Sequence, residues 1–211
     1  MREIELDSTS FSAANLQELR RLDGVGFIIE FLYAQNHAQR VSAIENAIDS
    51  AYMKLAMNCE LYTHRSEDEI TISIVNMLEY GGINIAHERK VGGHCDITVR
   101  ALNDFLWIAE AKIHGSYGWL DKGYKQLSTR YSTGLPGQDC GELIIYCKIA
   151  NAKDVLQKWR DELLSRNSDV DVIEDETDSQ LRFRSRHIHQ RSGLPFYTRH
   201  RIVSLYFNPS D

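Results

Sequence analysis

The feature that most constrains the fold is an apolar run, Phe105-Leu106-Trp107-Ile108-Ala109, that ends in Glu110-Ala111-Lys112. Five consecutive apolar residues predict a central strand that is buried on both faces. Because side chains alternate between the faces of a strand, Glu110 and Lys112 share one face and Ala111 points to the other. A buried strand should not end in charges without a reason. Its charged end is therefore the first candidate for a functional site.

A second strand is predicted just before this one, and it brings a further acid. Asp96 follows Gly92-Gly93-His94-Cys95 and precedes the β-prone residues Ile97-Thr98-Val99. Two carboxylates with a small gap between them bind a hard cation such as Mg²⁺, whose coordination is completed by waters and substrate phosphate oxygens. A lysine ammonium beside the metal can orient or help to deprotonate an attacking water, or stabilise developing charge. The alternative is a hairpin whose end carries an ordinary solvated ion cluster.

The order of Asp96 and then Glu110-x-Lys112 resembles the PD-(D/E)XK, or restriction-endonuclease-like, nuclease superfamily, although Cys95 stands where that name has a proline. The resemblance spans roughly residues 66 to 147. It implies a metal-dependent nuclease that cuts phosphodiester bonds, most often in DNA, with Mg²⁺ as cofactor and Mn²⁺ as a substitute. Asp96, Glu110 and the carbonyl of Ala111 would hold the metal, and Lys112 would assist the attacking water.

A helix is predicted upstream, where Ser66-Glu67-Asp68-Glu69 precedes apolar residues at helical spacing. Ser66 and Glu69 have the spacing of a capping box. At about 100° per residue, Glu67 falls on the apolar face of this helix and Glu69 on the opposite face. In the superfamily a preceding helix often supplies a glutamate that supports the metal, and Glu67 matches that role by phase. Alternatively, both acids only favour the helix N-terminus through its dipole.

Another helix is predicted downstream, from Lys122 to Tyr131, and it resembles the superfamily helix that carries a glutamine and, a turn later, an aromatic or basic residue. Gln126 and Arg130 are four residues apart and so share one face of an α-helix. Gln126 is therefore expected to orient the substrate, and Lys122, Lys125 and Arg130 are expected to contact nucleic acid. The alternative is an amphipathic helix whose polar side is simply solvated.

The net charge of −6 argues against a nucleic-acid partner until its distribution is considered. Acids cluster between Asp169 and Asp178, whereas the segment from Arg182 to Arg201 has six arginines and no acid. Alternation places Arg182, Arg184 and Arg186 on one face of a predicted strand, where they could follow a phosphate backbone. Two other interpretations remain: these arginines pair with the preceding acids, or they protect an exposed edge strand.

The order of predicted elements indicates the α/β class, with a mixed central sheet flanked by helices and an α-helical N-terminal region. Residues 1–64 are predicted to be helical, with helices from Phe11 to Leu22, from Phe27 to Gln35 and from Gln39 onward. This region would form an oligomerisation or partner surface, so a homodimer or a subunit of a larger complex is expected. Residues 65–211 would form the nuclease-like domain with a restriction-endonuclease-like core.

Composition sets only broad limits. The 211 residues are 43% hydrophobic and 26% charged, which is ordinary globular usage. No apolar stretch approaches the roughly 18 residues of a membrane span, and the N-terminus lacks a basic and then apolar leader, so a cytoplasmic location with no membrane partner is expected. The four cysteines show neither C-x-x-C spacing nor a disulfide framework. His94 and Cys95 point to opposite faces of a strand, which disfavours zinc there.

Three functions are compatible with these patterns. The first is a metal-dependent endonuclease that serves restriction, recombination, repair or defence against phage and plasmids. The second is a catalytically silent protein that keeps the nuclease fold and acts in binding or as a scaffold, and the third is a toxin-like ribonuclease. A silent member of the superfamily would be expected to lose at least one of Asp96, Glu110 and Lys112. The intact set favours an enzyme.

Overall fold

A computed structural model describes residues 26–79, 84–90, 94–173 and 180–209. Before the first strand, the described chain forms α1 (Gly26–Leu32), α2 (His37–Met57), a 3-10 turn (Cys59–Tyr62) and α3 (Glu67–Glu79). Later in the chain come α4 (Tyr117–Lys125), a π-helix (Gln126–Tyr131) that continues it, and α5 (Ala152–Arg166). The helix predicted from Phe11 to Leu22 lies outside the described residues. Among the described helices, none is both long enough and apolar enough to cross a membrane.

Within these described residues, seven strands form one mixed sheet. They are β1 (Ile85–Lys90), β2 (His94–Arg100), β3 (Leu106–Ile113), β4 (Cys140–Cys147), β5 (Asp171–Ile173), β6 (Arg182–Ile188) and β7 (Pro195–Ser204). Their spatial order is β1-β2-β3-β4-β7-β6-β5. β4 is parallel to both β3 and β7, and the remaining pairs are antiparallel. The predicted mixed α/β sheet flanked by helices is confirmed, and the C-terminal region contributes three strands where one or two were expected.

The sheet has a hydrophobic core on each face. On one face, α2 and α3 bury residues such as Leu55 and Ile74 against Trp107 of β3. On the other face, α4 and α5 bury Leu120 and Trp159 against the sheet. β3 is buried along nearly its whole length and has neighbours on both sides. This arrangement confirms the prediction of a central strand buried on both faces, and it means that any charge at the end of β3 has little access to water.

Ion pairs fasten α2 to the sheet beside the apolar contacts. Arg199 of β7 is 1% exposed, and its Nη2 atom lies 2.6 Å from Oε2 of Glu142 on β4. Its Nη1 atom lies 3.1 Å from Oδ2 of Asp49 on α2. The Tyr52 hydroxyl of α2 donates to Glu142 Oε1 at 2.7 Å. Burial raises the pKa of Glu142 to about 6, although Arg199 opposes that rise. The two fully buried charges therefore depend on each other.

We expect Glu142→Gln to lower the free energy of unfolding by about 3 kcal/mol, because breaking a buried pair leaves the charge on Arg199 incompletely compensated. The matched control is Glu162→Gln, which removes an exposed pair with Arg166 on α5 and should cost no more than about 0.5 kcal/mol. Urea unfolding at pH 7 measures both changes. Equal, small losses in the two variants would contradict the dependence of Arg199 on Glu142.

Candidate active site

The antiparallel pairing of β2 with β3 brings the two predicted acids together. The last pair in the ladder is Ile97 with Ala109, so Asp96 and Glu110 are the next residues on each strand. Beyond this point Asp96 Oδ2 accepts a hydrogen bond from the backbone N–H of Ala111 at 2.7 Å. The carboxylate thus accepts from a backbone N–H of β3 that lies beyond the last residue pair of the two strands. This bond fixes the Asp96 side chain at the end of the two strands.

Lys112 lies among the acids as predicted. Its Nζ atom donates to Glu110 Oε1 at 2.7 Å and to the carbonyl oxygen of Ala111 at 2.8 Å, and it lies 3.2 Å from Glu67 Oε1. The residue is 5% exposed. Burial by itself would lower the pKa of Lys112, but the charge of Glu110 and its hydrogen bond raise that pKa above its usual value. The ammonium is therefore a persistent cation and a hydrogen-bond donor.

Glu67 joins the site from the first residue of α3. Its Oε2 atom accepts from the backbone N–H of Ile113 at 2.7 Å, which links the start of the helix to the end of β3. Glu69 faces away and forms the predicted capping box, because its Oε2 accepts from the Ser66 N–H at 2.8 Å and Ser66 Oγ accepts from the Glu69 N–H at 3.3 Å. The different orientations predicted for the two glutamates are confirmed.

The cluster carries more negative than positive charge. Three carboxylates surround one ammonium, and Glu110 Oε2 is buried with no hydrogen-bond partner. Burial, followed by repulsion from Asp96, raises the pKa of Glu110 to about 8. Burial also raises the pKa of Asp96. A divalent cation would compensate this excess charge, so the residues present fit a metal site of the Mg²⁺ type.

The residues best placed to hold such a cation are Asp96 and Glu110, with the carbonyl of Ala111 as a further oxygen. Within the described part of the chain, the oxygens of Glu67, Asp96 and Glu110 do not all approach within 4.8 Å of one another. Lys112 Nζ contacts both Glu67 Oε1 and Glu110 Oε1. Mg²⁺ keeps several waters and uses few protein ligands, so two carboxylates are enough protein ligands for it.

The helix beyond the site differs from the prediction in one respect. An α-helix was expected from Lys122 to Tyr131, but the α-helical part ends at Lys125 and a π-helix follows. Gln126 and Arg130 nevertheless border the same surface depression, so the face that they were predicted to share is confirmed. Gln126 Nε2 also donates to the Tyr131 hydroxyl at 3.1 Å, a contact between residues five apart, which is the spacing of hydrogen bonds in a π-helix.

Tyr131 and Gly123 are site residues that the sequence pattern did not single out. Burial, and then the charge of Glu110, raises the pKa of Tyr131, so its phenol belongs to the same electrostatic environment. Gly123 lets α4 approach β3, because a Cβ atom there would lie 2.7 Å from Lys112 Cγ. The signal for Gly123 was present in the sequence as a glycine inside a helical pattern, which usually marks a close approach.

The predicted nucleic-acid contacts on this helix lie together on the surface. Lys122, Lys125 and Arg130 line a shallow depression with Gln126. Lys125 pairs with Asp121 at 2.7 Å, whereas Lys122 Nζ lies 4.9 Å from the centre of the Trp119 ring. The same ring is 5.4 Å from Lys112 Nζ and is 40% exposed. An exposed aromatic ring thus connects the basic surface to the buried lysine.

The arginines of β6 lie elsewhere. Arg182 pairs with Asp49 at 2.9 Å and Arg184 pairs with Glu45 at 2.5 Å, so both face α2. Arg186 pairs with Asp171 on the neighbouring strand at 3.0 Å. Glu110 and Lys112 face the opposite side of the sheet, because the residues that alternate with them pack in the core beneath α2 and α3. The structure does not bring these arginines to the Asp96 site, and their contact with nucleic acid stays a prediction.

Comparisons with known proteins assign no family to this chain. No protein-family model, curated protein or solved structure matches it. Its function has to be inferred from the geometry and charge of the site formed by Glu67, Asp96, Glu110 and Lys112.

The contact between α4 and β3 generates a test with two glycines of the same helix. Gly123→Ala should lower the free energy of unfolding by about 1–3 kcal/mol, because the new methyl group would collide with Lys112. Gly118→Ala has nothing within 4 Å of the added atom and should raise stability by about 0.5–1 kcal/mol through helix propensity. Urea unfolding compares the two. A stabilised Gly123→Ala protein would contradict the close approach of α4 to Lys112.

The raised pKa of Glu110 predicts a pH dependence of stability. Between its ordinary value of 4.5 and about 8, the folded protein holds this proton more tightly than the unfolded chain. Stability from this group is therefore lost as the pH rises through that window. Glu110→Gln removes this loss. The free energy of unfolding of Glu110→Gln, relative to that of the wild type, should therefore rise by on the order of 1 kcal/mol or more between pH 5 and about 9 without divalent cations.

Glu69→Gln is the control for this effect. A backbone hydrogen bond from Ser66 and the side chain of Arg65 lower the pKa of Glu69 to about 2, so Glu69 does not titrate within the same window. Its substitution should change stability by the same amount at every pH tested. Unfolding curves at several pH values give both differences. A constant offset for Glu110→Gln would mean that Glu110 is ionised at pH 5 and would contradict its perturbed environment.

Proposed function

We propose that this protein is a metal-dependent nuclease that hydrolyses phosphodiester bonds of nucleic acid, with DNA as the expected substrate, and that its core is restriction-endonuclease-like. The observation that carries the proposal is a pair of carboxylates, the half-buried Asp96 and the buried Glu110, at the end of two strands beside a buried lysine. One oxygen of Glu110 has no hydrogen-bond partner. This combination suits a hard cation and phosphate chemistry.

Asp96 and Glu110 would hold Mg²⁺ or Mn²⁺ with the carbonyl of Ala111, and Glu67 would support the site through its hydrogen bond to the β3 backbone. When bound, the cation supplies Lewis-acid stabilisation of the charge that builds on the phosphate. The hydrogen bond from the Ala111 N–H keeps Asp96 in place. The protein thus holds its carboxylates in position before substrate arrives, which lowers the reorganisation that catalysis requires.

Lys112 would act as a cation and a donor. Its pKa is raised by Glu110, so the ammonium keeps its protons at neutral pH. Its three donors are directed to Glu67, Glu110 and the Ala111 carbonyl, so it would exchange one of these acceptors for the attacking water or for a phosphate oxygen that gains charge. Stabilisation of developing charge is the larger contribution expected from a fixed donor in a dry site. Lys112 is a catalytic residue in this proposal.

The surface of α4 and the π-helix would receive the nucleic acid. Lys122, Lys125 and Arg130 can neutralise phosphates, and Gln126 with the Tyr131 hydroxyl can orient the strand beside Glu110. The half-exposed ring of Trp119 offers a face on which a base can stack. These side chains adjoin Lys112, which supports substrate entry from this side of the sheet.

A purely structural protein would have little use for this site. Burial of Glu110 beside Asp96 costs stability, as its raised pKa indicates, and a neutral side chain would avoid that cost. In the ion cluster around Arg199, each acid lies beside at least one arginine, whereas the three acids around Lys112 share a single ammonium. Retention of an unbalanced site is typical of function.

The direct test is cleavage of plasmid DNA by the pure protein with Mg²⁺ or Mn²⁺, and its loss in chelator. Asp96→Ala, Glu110→Ala and Lys112→Met should each reduce cleavage by roughly 10²-fold or more, because each removes a charge that acts on the reacting phosphate. Asp68→Ala is the control, since it removes an exposed acid next to Glu67 and should leave cleavage unchanged. RNA of matched sequence is assayed in parallel.

Binding of the cation gives a second readout. Mg²⁺ should raise the melting temperature of the wild type and of Asp68→Ala by mass action and leave that of Asp96→Ala unchanged. Full cleavage in any of the three site variants would contradict the site. A Mg²⁺ shift confined to proteins with Asp96, but without cleavage of DNA or RNA, would support the metal site and favour a catalytically silent binding protein.

A further inference from the structure

A second cluster of metal-ligating side chains lies at the opposite end of β3 and β4. It consists of His37, Asp139 and Cys140, whose ligand atoms all lie within 4.8 Å of one another. Cys140 begins β4 and is the register partner of Trp107, whereas Lys112 pairs with Ile145, five residues further along both strands. Cys140 also belongs to the core beneath α2, on the face away from Glu110 and Lys112. The two sites are therefore independent.

The local structure holds these three residues in place. Asn36 caps α2, because its Oδ1 atom accepts from the Gln39 N–H at 2.9 Å, and His37 is the first residue of the helix. The His37 ring packs 5.4 Å from the centre of the Phe105 ring. The Asp139 carbonyl accepts from the Tyr197 N–H at 2.8 Å, which fixes the backbone just before Cys140.

The contacts within the cluster leave one carboxylate oxygen without a hydrogen bond. Asp139 Oδ1 is buried and accepts none, although it lies 2.7 Å from His37 Nε2. His37 Nε2 forms a hydrogen bond with Cys140 Sγ at 3.7 Å. Zinc bond lengths place an imidazole nitrogen and a thiolate sulfur about 3.6 Å apart in a tetrahedral site. The same geometry places an imidazole nitrogen and a carboxylate oxygen about 3.4 Å apart, so the Asp139 carboxylate would have to move outwards by about 0.7 Å.

We propose that His37, Asp139 and Cys140 bind a Zn²⁺ ion. Thiolate and imidazole are ligands that zinc prefers over magnesium, so this site selects a different metal from the carboxylate pair at Asp96. His37 and Cys140 are separated by more than a hundred positions in the chain. A metal bound between them fastens the start of α2 to the first residue of β4, at the end of the helix away from Tyr52.

The proposed site has one open coordination position. Three protein ligands leave a tetrahedral ion with a fourth place for water or another small ligand. All three residues line a cavity of about 400 Å³ between α2 and the sheet, which Arg184 and Tyr197 also line. The fourth ligand therefore comes from this cavity. Zinc with three protein ligands and an accessible fourth position is the arrangement typical of reactive sites, whereas closed structural sites have four.

Cobalt provides a spectroscopic probe, because Co²⁺ replaces Zn²⁺ in such sites and its absorption reports both thiolate ligation and tetrahedral geometry. Titration of the metal-free full chain should reach one equivalent at this site with a thiolate charge-transfer band, and Zn²⁺ should abolish the band. Cys140→Ser and His37→Gln should lose it. Cys59→Ser is the matched control, since Cys59 lies outside the cluster and should leave the spectrum unchanged.

Asp96→Ala separates this proposal from the nuclease site. That variant should keep the cobalt band and a rise in melting temperature with Zn²⁺, whereas His37→Gln should lose both. His37 is one-third exposed, so its substitution removes a ligand without disturbing the core. Cys140 is buried, so Cys140→Ser changes the core as well as the ligand. The absence of a thiolate band in the wild type, or an unchanged band in His37→Gln, would overturn the proposed zinc site and leave the Asp96 site untouched.

Discussion

The buried ammonium of Lys112 is the interaction on which the arrangement of the site depends. It contacts Glu67 of α3 and Glu110 of β3, and its stem lies against Gly123 of α4. Helices from both faces of the sheet thus meet at one side chain. If Lys112 were neutral, three carboxylates would be left together at a buried strand end, and repulsion between them would separate these elements or force protonation.

The two faces of the sheet treat buried charge differently. On the α2 face, Arg199 has Glu142 and Asp49 as close partners, and Tyr52 adds a hydrogen bond to Glu142. On the other face, Glu110 has one oxygen bound to Lys112 and the other without a partner. In the first cluster the charges of the acids are matched by arginines, and the cluster fastens a helix. The second has a deficit of positive charge, which is the property expected of a site that binds a cation.

Sequence patterns predicted the central part of the site because they depend on local rules. Alternation along a strand placed Glu110 with Lys112, and helical phase turned Glu67 inwards and Glu69 outwards. The π-helix was not predicted, since the apolar spacing from Lys122 to Tyr131 suits an ordinary helix and the extra residue per turn is set by tertiary packing. Gln126 and Arg130 still border one surface depression, as helical spacing predicted, and the hydrogen bond from Gln126 to Tyr131 is the contact that the sequence pattern did not reveal.

These local rules do not predict which side chains pair when they are far apart in the chain. The common face of Arg182, Arg184 and Arg186 followed from alternation. The partners of Arg182 and Arg184 on α2, however, depend on how a helix more than a hundred residues earlier crosses the sheet. The same holds for His37 with Asp139 and Cys140, which have no spacing signature in the chain. A sequence pattern identifies which side chains share a face, and only the fold determines which distant side chains meet.

The position of Mn²⁺ in crystals of the protein, located by its anomalous scattering, tests the metal site at Asp96 and Glu110 directly. We expect a peak between Asp96 and Glu110, with Glu110 Oε2 turned to the ion and Lys112 still beside the pair. We also expect the peak to disappear in crystals of Asp96→Ala. Mn²⁺ found only elsewhere, with Glu110 Oε2 still lacking a partner in the wild type, would contradict a metal centre at the end of β3.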